Sequence, residues 1–220
     1  MISETSIYHW DVTNPSQESP VKLTDRHPTL AGNQIINYHV NSDNSWSSLV
    51  GIAQENGRIV GHIQLYSKER NISQGIEGHA SAFGLLRLDG ASSDTKLFTF
   101  ANRTATGAKL HIVEIDHQEG NPVYQKKAVD LYFPPELAND FPVAVEVSNK
   151  YGLIYIITKY GLIHLYDLES GVCIFMNRIS SDSVFTATKY DATSGIIAIN
   201  RKGQVLSVSV NEETIVPYIL

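Results

Sequence analysis

The sequence predicts an all-β chain, a partial β-propeller of about four to five four-stranded blades. Three observations predict it. Short runs rich in Val, Ile, Tyr, Phe and Thr are bounded throughout by Gly, Asn, Asp and Ser. A single hairpin unit recurs along the chain. Its interval matches that of a propeller blade.

Taken in order, Ser6 to Val12 is an outgoing strand with no incoming strand ahead of it. Leu49-Val50-Gly51-Ile52-Ala53 then turns at Glu55-Asn56-Gly57 into His62-Ile63-Gln64-Leu65-Tyr66. Asn-Gly is the composition of a type I′ hairpin turn, which needs two residues at positive φ. Leu97 to Ala101 turns near Gly107 into Leu110 to Ile115, and Leu153 to Thr158 turns at Lys159-Tyr160-Gly161 into Leu162 to Asp167. Ile196 to Asn200 turns at Arg201-Lys202-Gly203 into Val205 to Val210. Glu136-Leu137-Ala138-Asn139, after two prolines, offers at most one helical turn.

Aligned at Trp10, Leu65, Val113, Leu165 and Val208, the outgoing strands are separated by 55, 48, 52 and 43 residues. A β-sandwich is the competing architecture, but it predicts irregular strand spacing rather than one repeated hairpin. The Trp-Asp dipeptide does not recur after these strands as it does in a WD40 array; Leu165-Tyr166-Asp167 comes nearest to a repeat of it, and Gly78-His79 occurs once. Asn14 to Pro20 and Asp116 to Pro122 read as surface turns within a single domain.

Composition narrows the function. The 220 residues carry 17 Lys+Arg against 23 Asp+Glu, a net charge of −6, which disfavours a basic nucleic-acid surface. The single cysteine, Cys173, allows neither an internal disulfide nor a thiolate metal cage and points to a reducing compartment. Its run Val172-Cys173-Ile174-Phe175 predicts a buried small hydrophobe. No long apolar run predicts a membrane span, and the N-terminus has no signal-peptide pattern. Asn71-Ile72-Ser73 and Asn102-Arg103-Thr104 match a glycosylation sequon that such a chain would not use.

Chemistry is scarce. There is no nucleophile elbow, phosphate loop or dinucleotide fingerprint, and the eight histidines show no metal-ligand spacing. His62, His111 and His164 all fall in outgoing strands, where one repeated structural slot accounts for them. Asp116-His117 reads as a solvated pair in a turn. Lys126-Lys127 and Arg201-Lys202 read as solvated turn charge, or as a basic rim for acidic peptides. The scaffold itself, stacked sheets with grooves between them, suggests peptide binding. An enzymatic or small-molecule propeller is the alternative; it requires convergent His, Asp or Glu side chains at the central channel. A structural remnant that binds nothing is a third reading.

A family resemblance adds to this. Asp25-Arg26-His27, Gln34-Ile35-Ile36-Asn37-Tyr38, RIVGHIQL at 58–65, Ile72-Ser73-Gln74 and Ile76-Glu77-Gly78-His79-Ala80 carry its first half. Phe133-Pro134-Pro135-Glu136, Asn139-Asp140-Phe141-Pro142, TKYGLIHLYDL at 158–168, Met176-Asn177-Arg178-Ile179-Ser180, NRKGQVL at 200–206 and Val216-Pro217-Tyr218-Ile219 carry the rest. Together they resemble the terminal domain of clathrin heavy chain, with a fungal cast, over essentially the whole chain. The resemblance implies a seven-bladed propeller that captures adaptor and accessory proteins through short linear peptides, without cofactor, metal or catalysis. It implies a cytoplasmic protein of coated pits and coated vesicles, joined to the rest of the heavy chain and reaching membrane only through adaptors, in endocytosis and trans-Golgi transport.

The family's sites carry over unevenly. Nothing here resembles the first two blades, so the clathrin-box groove is expected to be absent. The central W-box pocket would use Gln34, Ile36 and Ile52, without its first-blade aromatic. The groove between the family's fourth and fifth blades would use Trp46, Leu65, Arg70, Ile72, Gln74 and Ile76. There Arg70 and Gln74 would orient the peptide over an apolar floor. Without the family, Ile36, Ile52 and Leu65 read equally well as blade core, and Arg70 and Gln74 as solvated loop residues. The expected organisation is a single partial propeller over 1–220, with 1–12 a remnant of a truncated blade and 213–220 the start of an exit toward a helical linker.

Overall fold

Each recurring hairpin is a pair of neighbouring strands within one sheet of the computed structural model, which describes residues 1–87, 93–116 and 123–211. A two-stranded ribbon, β1 (Ser6–His9) with β2 (Val21–Asp25), opens the chain. The first blade is β3 (Gln34–Val40), β4 (Ser47–Glu55), β5 (Arg58–Ser67) and β6 (Ile72–Glu77). The second is β7 (Ala80–Leu86), β8 (Thr95–Thr104), β9 (Gly107–Ile115) and β10 (Val123–Asp130). The third is β11 (Pro142–Ser148), β12 (Leu153–Thr158), β13 (Leu162–Asp167) and β14 (Cys173–Arg178). The fourth shows three strands among the described residues, β15 (Val184–Tyr190), β16 (Gly195–Asn200) and β17 (Val205–Val208). Every sheet is an antiparallel meander in chain order, and the four blades form a β-propeller. The first strands of successive blades, β3, β7, β11 and β15, lie side by side and so are innermost.

The core is a set of layers between blades. β12 shows why its run is continuously apolar. Ile154 and Ile156 pack toward the second blade, with Leu97, Leu110 and Ile112. Leu153, Tyr155 and Ile157, alternating with them, pack toward the fourth blade, with Val184 and Ile196. A middle strand is buried on both faces, so alternation of face no longer means alternation of polarity. A third layer joins the first blade, through Trp46, Val50, Ile63 and Leu65, to Phe98, Phe100, Val113 and Ile115 of the second.

The outgoing strands at Leu65, Val113, Leu165 and Val208 are the third strands of the four blades. Asn56 and Gly57 both have positive φ, 49° and 77°, as a type I′ turn requires. A Cβ on Gly57 would meet nothing within 4 Å. Gly57→Ala therefore tests backbone strain alone and is expected to cost about 1–2 kcal/mol in urea unfolding. The turn expected near Gly107 is made by residues 105 and 106, and Gly107 already pairs with Thr104. The helical candidate after Pro134 is one 3-10 turn, Pro135–Leu137.

Three expectations change. The opening strand stops at His9 and finds a partner downstream, β2. Trp10 leaves the strand because its indole N–H donates to the Gln17 carbonyl, and Asp11 caps a turn by accepting from Thr13. Cys173 is exposed, not buried. It opens β14, the outermost strand of its blade, which has one neighbour and whose residues are all exposed, Ile174, Phe175 and Met176 included. The three strand histidines share no slot. His62 pairs with Asn33, His111 stacks on Phe100 at 4.5 Å, and His164 is fully buried with neither ring nitrogen bonded. His117, the turn at 117–122 and the expected exit at 213–220 lie outside the described residues, as does Lys126 as a side chain.

Candidate functional site

β6 is the outer strand of the first blade and pairs only with β5. Its outer edge therefore offers unpaired backbone groups. Period-2 alternation puts Ile72, Gln74 and Ile76 on one of its faces. Ile72 and Ile76 are half-buried against the layer between the first and second blades, and Gln74 between them is exposed. Ser73 and Gly75 point the other way: the Ser73 hydroxyl accepts from Gln64, and Gly75 lies against the His27 ring. Gln64 also bonds the backbone of Asp25 and His27, which docks the opening ribbon onto this blade.

Trp46 and Leu65 do not line the groove surface. They are 1% and 0% exposed and sit in the layer beneath it. Trp46 immediately precedes β4, so its ring enters the blade interior while its indole N–H reaches outward. That N–H donates to Asp116 Oδ1 at 3.1 Å. Arg70, in the turn before β6, donates from Nε to the same oxygen at 2.9 Å. Lys96 on β8 donates to Asp116 Oδ2 at 2.8 Å and lies 2.6 Å from Asp43. Burial works against the Asp116 carboxylate, but hydrogen bonds from Lys96, Trp46 and Arg70 outweigh it and hold its pKa below the ordinary value. Bonds from Lys96 and Ser45 likewise hold Asp43 far below the carboxylate range.

Asp116 is thus no solvated turn residue; its side chain is 16% exposed and joins the two blades. Sequence reasoning missed it because residues 43, 46, 70, 96 and 116 meet only after the blades stack. Nothing in their spacing announces the meeting. Arg70 remains 44% exposed.

The central trio is partly brought together. Gln34 on β3 sits directly opposite Ile52 on β4, and Ile36 falls at a bulge in that pairing. Gln34 is exposed and Ile36 is 38% exposed. Ile52 borders a broad cleft of about 890 Å³ with His62, His79, Arg103 and Tyr160. Arg103 is occupied there, donating to the carbonyls of Leu137 and Asp140 and lying 4.0 Å from the Phe133 ring centre.

A second cavity, about 310 Å³, is lined by residues of all four innermost strands, including His39, Ala82, Glu146 and Lys189. Glu146 is buried, which pushes its pKa up to about 7 despite Lys189 nearby. Burial also lowers His39, whose Nε2 has no partner. Among the described residues no group of three or more His, Cys, Asp or Glu is placed to hold a metal ion. No helix among them is long and apolar enough to cross a membrane.

Four stacked antiparallel blades, each a meander, define the class as a β-propeller. Residues 177–211 match the clathrin propeller repeat. The chain is 50% identical over 220 residues to a probable clathrin heavy chain of Schizosaccharomyces pombe and 54% identical over 220 residues to the clathrin heavy chain of Drosophila melanogaster. It is 52% identical over 219 residues to clathrin heavy chain 2 of Homo sapiens. These alignments cover 99–100% of this chain and 13% of each relative. The chain is a clathrin heavy chain homologue over its whole length.

Proposed function

We propose that this chain contributes a peptide-capturing surface to a clathrin coat. The groove along β6 takes short linear segments of adaptor and accessory proteins during clathrin-mediated transport, in endocytosis and at the trans-Golgi. The protein acts as a structural and binding component on the cytoplasmic face of coated pits and vesicles. It is not an enzyme, uses no cofactor, and reaches membrane only through its partners. The single partial-propeller domain operates within the longer heavy chain.

The observation that supports this most directly is the face Ile72–Gln74–Ile76 beside Arg70 on an open strand edge. An extended peptide could pair with free backbone groups there, with apolar side chains against the two isoleucines and polar atoms at Gln74. Four residues of extended chain span about 13 Å. A complementary peptide therefore places leucines four positions apart, matching Ile72 and Ile76.

A fluorescein-labelled decapeptide of that pattern is expected to bind the chain in fluorescence anisotropy. Gln74→Ala combined with Ile76→Ser is expected to weaken it about 10- to 100-fold. Gln74 is exposed and Ile76 half-buried at the edge of the layer, so the variant's urea midpoint is measured alongside its affinity. Equal affinity for parent and variant, or no binding to the parent, would remove the groove from the function.

A further inference from the structure

Resting on the groove reading above, we infer that Asp116 is the positioning residue of the peptide groove, fixing Arg70 from behind without touching the peptide. Asp116 follows β9 of the second blade, with φ +63°. Asp tolerates this left-handed conformation better than most residues. The carboxylate gathers one donor from before β4, one from the turn ahead of β6 and one from β8. Two of those donors belong to the first blade and one to the second, so a single side chain sets how the blades meet at the groove mouth.

The consequence falls on Arg70. A guanidinium has five N–H donors in a rigid fork. Asp116 takes the Nε–H, which fixes the plane of the fork. The two Nη groups have no protein partner among the described residues, and the side chain is 44% exposed. They are left to donate to a carbonyl or carboxylate oxygen of the bound peptide. Lys96 neutralises the second Asp116 oxygen and is itself shared with Asp43. The four charges balance, so the peptide meets an oriented donor fork rather than a net charge.

A double-mutant cycle with the same decapeptide tests this. Asp116→Ala is expected to weaken binding about tenfold, and Arg70→Ala by a similar factor. In the Arg70→Ala background, Asp116→Ala is expected to add less than twofold, because there is no longer a fork to orient. Asp116→Asn keeps an acceptor oxygen for Arg70 Nε and is expected to retain most of the affinity. Asp116→Gly, which suits the positive φ and removes the carboxylate, carries the cycle if the alanine variant does not fold.

An equal loss in both backgrounds would mean that Asp116 only supports the blades. No loss in either would remove it from the site. Both results would overturn the inference while leaving the groove reading intact, since the parent still binds and Gln74→Ala with Ile76→Ser still binds more weakly. A parent that does not bind the decapeptide would overturn both.

Discussion

Trp46→Ala is expected to lower the unfolding free energy of this chain by about 3–5 kcal/mol, the range for removing a large aromatic side chain from a packed core. Trp46 is 1% exposed and sits among Val50, Ile63, Leu65, Phe98 and Val113, contributed by two blades. Alanine leaves a cavity that rigid neighbouring strands cannot collapse around. The polar side adds little. Asp116 loses one donor but keeps Arg70 and Lys96, so no buried charge is orphaned. Trp46→Phe keeps most of the packing and is expected to cost only about 1 kcal/mol, the worth of one hydrogen bond plus a small volume change. Urea titrations followed by circular dichroism check both values. Fluorescence gives a second check, because the only other tryptophan, Trp10, is 49% exposed. Loss of Trp46 should leave only red-shifted emission, and a blue-shifted spectrum in Trp46→Ala would contradict its placement. This size of effect is also why peptide binding is tested at Gln74 and Ile76.

The pH dependence of stability is expected to hide two opposed contributions of similar size. Burial pushes His164 from 6.5 down to about 4. The unfolded chain therefore takes up that proton first, and the His164 contribution is complete above about pH 6.5 and lost as the pH falls toward 4. Burial pushes Glu146 from 4.5 up to about 7. Here the folded chain keeps a proton that the unfolded chain releases, so the contribution is present below pH 4.5 and lost as the pH rises toward 7. At about 1.4 kcal/mol per pKa unit, each is worth on the order of 3 kcal/mol. Between pH 4.5 and 6.5 the two slopes oppose and flatten the profile. Substitution exposes them. Relative to the parent, Glu146→Gln should gain on the order of 3 kcal/mol between pH 4.5 and 7.5. His164→Phe should gain a similar amount as the pH is lowered from 7 to 4. Urea unfolding at pH 4 to 8 measures the differences, in which titrations common to variant and parent cancel. A variant-minus-parent difference that stays flat would show that the group is solvated in the folded chain.

What was legible in the sequence follows from what period-2 patterning encodes. The runs Leu49 to Ala53, Leu97 to Ala101, Leu153 to Thr158 and Ile196 to Asn200 gave the second strands of four blades, because such strands are apolar on both faces. Asn56-Gly57 gave its turn because few residue pairs accept two positive φ values. The same rules misread Cys173. Its apolar run resembles a middle strand, yet β14 has a neighbour on one side only, and the number of neighbours is not written in a strand's own residues. The histidines were misread similarly, since sharing a strand position does not mean sharing an environment.

The candidate site divides along the same line. Ile72, Gln74 and Ile76 are near in sequence, and their shared face follows from the strand alone. Gln34 and Ile52 needed the β3–β4 register to meet. The sequence by itself determined the strand content, the hairpins and the blade interval, because these depend on contacts between neighbours in the chain. The tertiary structure alone decided that Trp46 is core, that Asp116 is a junction for Arg70 and Lys96, and that Glu146 and His164 are desolvated. Those properties arise from side chains tens of residues apart that meet when blade stacks on blade, and local patterning carries no record of such meetings.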